Sequence, residues 1–67
     1  MITHAEIKEG IRKSYEDKMK DMTKEEKIAF LKECKFLIDM HDTWTQEDEF
    51  NYDVACELLG EVKDEDN

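Results

Sequence analysis

Apolar residues recur every three or four positions through almost the whole of this 67-residue chain, which is the period of a helix facing a core. Ile7, Ile11, Tyr15 and Met19 stand at strict four-residue spacing and predict a first helix over about residues 4–20, with one narrow apolar stripe. A second, over about 24–42, has a broad face of Phe30, Leu31, Cys34, Leu37, Ile38 and His41. On the helical wheel Ala29, Phe36 and Met40 fall on a separate sector of that helix, between charged residues. A third, over about 46–59, sets Phe50, Val54, Ala55 and Leu58 on one side, and Tyr52, Cys56 and Leu59 widen its apolar arc beyond what one neighbour covers.

The chain has no proline and two glycines, so threonines supply the punctuation. Thr3 with Glu6, Thr23 with Glu26, and Thr43 with Gln46 each place an acid or amide three residues after a threonine, the spacing of a capping box at a helix start. At the third start Thr45 with Asp48 competes with Thr43. Ile2 and Ile7 add a hydrophobic staple to the first helix. Gly60 reads as an end signal, which makes residues 1–60 a single domain and residues 61–67 an acidic, frayed tail. The expected fold is all-α, a small three-helix bundle. Its surplus of apolar positions, Phe36, Met40, Tyr52, Cys56 and Leu59, predicts self-association as a homodimer or cover by a partner.

Composition narrows the function. A chain of this size buries only about 60% of its unfolded surface, leaving little room for a deep catalytic pocket. It has no apolar run long enough to span a membrane and no secretory core in "MITHAEIKEG", so a soluble, cytoplasmic protein is expected. Cys34 and Cys56 sit at helical apolar positions and read as reduced thiols.

The formal charge of −9 is very unevenly spread. Residues 1–22 hold five basic and five acidic side chains, residues 23–42 four and five, and residues 43–67 one and nine. Glu47, Asp48 and Glu49 are favoured by the dipole at a helix start. Glu49, Asp53, Glu57 and Glu61 instead form a stripe at four-residue steps, where like charges repel and the helix end opposes the later acids. An acidic stripe beside an apolar arc suits a protein interface, with charge for steering and Phe36, Met40, Tyr52 or Trp44 as anchors.

Such a surface excludes direct binding to nucleic acid, which needs clustered Lys and Arg, and calls for a protein with a basic surface, such as a DNA-binding protein or a defence component. The alternative is a mimic of DNA. Four carboxylates over about 18 Å are a sparse copy of a duplex carrying roughly ten phosphates in that length, unless a dimer joins two stripes with Asp64, Glu65 and Asp66.

Candidate chemistry is thin. Cys34 and His41 are about 10 Å apart along one helix, too far for a nucleophile and its base. No CxxC, HxxH or HExxH spacing supports zinc, and "DEDN" lacks the pattern of a calcium loop. His4, in a first turn, reads as solvated. Trp44 reads as a plug at a helix junction as well as a candidate anchor. No enzyme and no cofactor are expected. The reading is a non-enzymatic stoichiometric inhibitor or adaptor, a class that includes short host-takeover and anti-defence proteins of bacterial viruses.

Overall fold

A computed structural model describes residues 2–64. Three helices, α1 (His4–Met19), α2 (Lys24–Asp39) and α3 (Gln46–Asp64), make an all-α bundle, and no strand occurs among the described residues.

All three helix starts are built by threonine. Thr3 Oγ1 accepts the Glu6 N–H at 3.2 Å. Thr23 and Glu26 complete a capping box, with Glu26 N–H donating to Thr23 Oγ1 at 3.2 Å and Thr23 N–H donating to the Glu26 carboxylate at 3.1 Å. At the third start the same reciprocal pair joins Thr45 and Asp48, at 3.2 and 3.1 Å. The start is therefore at Thr45 and not at Thr43, which lies in the connection before α3.

The helix ends depart from the sequence pattern. α2 stops at Asp39, three residues short of the expected end, where Met40 N–H turns back to Phe36 O at 3.1 Å and His41 N–H to Ile38 O at 3.0 Å. His41 consequently leaves the helical face to which the periodicity assigned it and is exposed. Gly60 does not end α3. It takes no left-handed backbone, and the helix continues through Glu61, Val62, Lys63 and Asp64 because Val62 is buried in the core. Residues 61–64 are thus part of the bundle, and the remainder of the expected tail, 65–67, lies outside the described residues.

Met19, Leu31, Val54, Ala55, Leu58, Leu59 and Val62 form the core, with Ile11, Tyr15, Met22, Ile28 and Phe30 packed around it. Five of those seven belong to α3. That helix packs against both α2 and α1, more extensively against α2, whereas α1 and α2 meet least. This explains the over-wide apolar arc of α3, since a helix held between two neighbours buries two faces. Leu59, counted as surplus from the sequence, is buried, and Tyr52 and Cys56 are half-buried.

α1 and α3 run parallel: His4 stacks edge-on against Phe50, Lys8 pairs with Glu57 and Arg12 with Glu61, in step along both helices. The return helix α2 touches α1 where the Tyr15 and Phe30 rings meet edge to face at 6.0 Å. Leu37, a core residue by periodicity, is half exposed at 53%.

Candidate functional site

The outer face of α2 carries the strongest departure from a buried-apolar pattern. Phe36 and Met40 are each 63% exposed. They lie about 140 to 180° around the helix from the buried Leu31 and Ile38, so no rotation of α2 buries both sets against one neighbour. One turn joins them, and Leu37 extends the patch.

The other two candidate anchors are engaged inside the molecule. The Trp44 indole N–H donates to the Ile38 carbonyl at 2.9 Å, closing the end of α2, and its ring stands 5.1 Å from that of Tyr52. Lys35 places its ammonium 5.5 Å from the centre of the Tyr52 ring. Beside them His41 Nδ1 lies 3.2 Å from Asp48, whose carboxylate is held below its ordinary range first by the Thr45 backbone N–H and then by His41. Trp44 is thus a plug at the α2–α3 junction with about a third of its surface still open.

The acidic stripe divides in two. Glu57 accepts the Lys8 ammonium at 2.9 Å, and the two carboxylate oxygens of Glu61 accept Arg12 Nη2, so this half is answered by α1. The hydrogen bond from Arg12 holds the Glu61 carboxyl below its ordinary value. Arg12 also lies 3.7 Å from Glu16 on its own helix. Glu49 and Asp53 remain exposed without an ion pair within 4 Å among the described residues. The repulsion that made the stripe look locally unfavourable is offset by cations supplied from a different helix, which periodicity within α3 does not reveal.

A feature missed in the sequence lies between α1 and α2. Because those helices touch least, Ile2, Ile7, Ile11, Tyr15, Phe30 and Cys34 line an open groove of about 630 Å³. The stripe Ile7, Ile11, Tyr15 was legible, but its partial exposure follows from how far α2 stands away. Burial raises the Cys34 thiol and the Tyr15 phenol above their ordinary values, so both stay protonated at neutral pH.

Cys34 and Cys56 are free thiols, and no group of three His, Cys, Asp or Glu among the described residues comes together to hold a metal ion. No described helix is long and apolar enough to cross a membrane. Compared with protein-family models, with curated proteins and with solved structures, the chain matches none.

Proposed function

We propose that this protein is a non-enzymatic binding domain that acts as a stoichiometric inhibitor or adaptor, docking the outer face of α2 on a partner protein with a basic and apolar surface. The observation that carries the reading is the exposure of Phe36 and Met40 on a helix that already buries a separate face. Two large adjacent side chains left in water in so small a domain are the composition of an interface core, and burying them supplies the association energy. Asp53 and Glu49, which make no ion pair within 4 Å among the described residues, supply the negative field that draws a basic surface in.

The formal charge of −9 opposes pairing of two identical copies through the same patch and favours a cationic partner. DNA mimicry draws little support from this arrangement, because Glu57 and Glu61 already answer Lys8 and Arg12. An origin among host-takeover proteins of bacterial viruses fits the size and charge and rests on them alone.

The test is capture from a bacterial lysate with the parent and a Phe36→Ser/Met40→Ser variant side by side, after circular dichroism shows equal helicity. A protein retained by the parent and lost by the variant supports the reading. Equal retention by both removes the α2 face from function. Sedimentation equilibrium at micromolar concentration decides the remaining use of the patch, since a clean 8.0 kDa species excludes the homodimer.

A further inference from the structure

The groove between α1 and α2 is a second surface, distinct from the Phe36 and Met40 face. Its apolar floor runs along α1 from Ile7 through Ile11 to Tyr15 and is met from α2 by Phe30 and Cys34. α3 closes the bottom near Asn51, while the top is open. In a bundle this is the place of a fourth helix: α1 and α2 each bury one side against α3 and meet each other least, through Tyr15 and Phe30 at the groove floor.

Charge selects the occupant. Glu6 and Glu47 stand at one end of the groove, in the first turns of α1 and α3, and Lys18 stands at the other. Twelve residues of α1 separate Glu6 from Lys18, about 18 Å. A second copy of this chain brings another −9, concentrated in its own α3, to an opening already edged by two acids. A cationic helix brings the complementary sign.

We infer that the α1–α2 groove binds one amphipathic helix of a basic partner protein, about three turns long, with its apolar stripe on Ile7, Ile11, Tyr15 and Phe30 and a Lys or Arg against Glu6 and Glu47. The bound helix completes a four-helix bundle. Apolar contact supplies the affinity and the two carboxylates fix which end of the helix lies where. With the outer face of α2 free at the same time, the domain has two docking surfaces, the arrangement of an adaptor.

The probe is a capped peptide of roughly 16 residues with leucines at helical a and d spacing, two lysines at one end and two glutamates at the other. Binding is read by fluorescence anisotropy at low salt, and occupancy of the groove by the rate at which iodoacetamide alkylates Cys34 in a Cys56→Ser background. Saturable binding that slows Cys34 alkylation is expected. Glu6→Gln/Glu47→Gln should weaken binding about three- to tenfold, whereas Glu9→Gln/Glu25→Gln, an equal change of net charge at residues outside the groove lining, should leave it within twofold. Phe36→Ser/Met40→Ser should also bind as the parent does, which separates this groove from the outer face. Unchanged Cys34 alkylation at saturating peptide, equal loss in both glutamate pairs, or loss of peptide binding in Phe36→Ser/Met40→Ser overturns the assignment. Cys34 protection that rises with protein concentration in the absence of peptide assigns the groove to a second copy and overturns it too.

Discussion

The Arg12 guanidinium of α1 grips both carboxylate oxygens of Glu61 on α3, 49 residues away in sequence. With Lys8 and Glu57 one turn earlier, it clasps two parallel helices whose contact is the smaller of α3's two interfaces. The pairing depresses the Glu61 carboxyl, so its contribution is present above that group's ordinary value of 4.5 and is lost as pH falls through the depressed folded value. A double-mutant cycle of Arg12→Gln and Glu61→Gln should give a favourable coupling of no more than about 1 kcal/mol at pH 7, because both side chains are partly solvated. It should weaken as pH falls below 4.5 and shrink in molar salt. Coupling that persists in acid would mean that the two side chains interact by packing.

Leu31 has no exposed surface and sits where α2 meets the α3 core. Leu31→Ala should cost about 2 to 5 kcal/mol by lost burial and the cavity left behind. In a domain of this size that approaches the whole stability, so urea titration should find the variant largely unfolded at 25 °C.

Gly60 lies inside α3 with nothing within 4 Å of the position a Cβ would take. Gly60→Ala should therefore stabilise the bundle by about 0.5 to 1 kcal/mol, since alanine loses less backbone entropy in a helix and meets no obstacle here. Thermal unfolding followed at 222 nm checks it. A lower midpoint would mean that α3 ends near residue 60 in solution.

Those contrasts show where the sequence was sufficient. Helix starts depend on residues three apart, so the exchange at Thr23 with Glu26 was legible directly, whereas at the third start the sequence offered both Thr43 and Thr45 and the structure places the exchange at Thr45 with Asp48. Helix ends depended on distant packing. Val62 carries α3 past Gly60 because a core awaits it, and α2 stops at Asp39, ahead of the junction in which Trp44 takes the Ile38 carbonyl. The exposed Phe36 and Met40 were legible because they sit off the buried face. The groove was not, because it is a property of the distance between α1 and α2, and the loss of half the acidic stripe to Lys8 and Arg12 was hidden for the same reason.

Trp44 is a plug whose indole N–H satisfies a helix-end carbonyl. Trp44→Phe keeps the ring contact with Tyr52 and removes that donor, so it should cost about 1 kcal/mol, while Trp44→Ala should cost about 3 to 5 kcal/mol by losing the ring as well. Quenching of the single tryptophan's fluorescence on partner binding would place its exposed third in the interface.

Anchor and steering variants should fail in different ways once a partner is in hand. On the proposed reading Phe36 and Met40 would act after contact, by leaving water, so truncating either should speed dissociation by tenfold or more at a central position, with little change in association. On the same reading Glu49 and Asp53 would act before contact, through a field screened within about 8 to 10 Å at physiological salt. Reversing both to lysine should slow association several-fold in low salt and flatten its salt dependence, leaving dissociation nearly unchanged. Reversal of Glu57 is a poorer probe, because it sets a second cation against Lys8 and strains the α1–α3 clasp. Stopped-flow association at two ionic strengths separates the cases. Unchanged association of the Glu49→Lys/Asp53→Lys variant at low salt would reduce these acids to a solvated face and leave the apolar patch of α2 as the whole of the recognition surface.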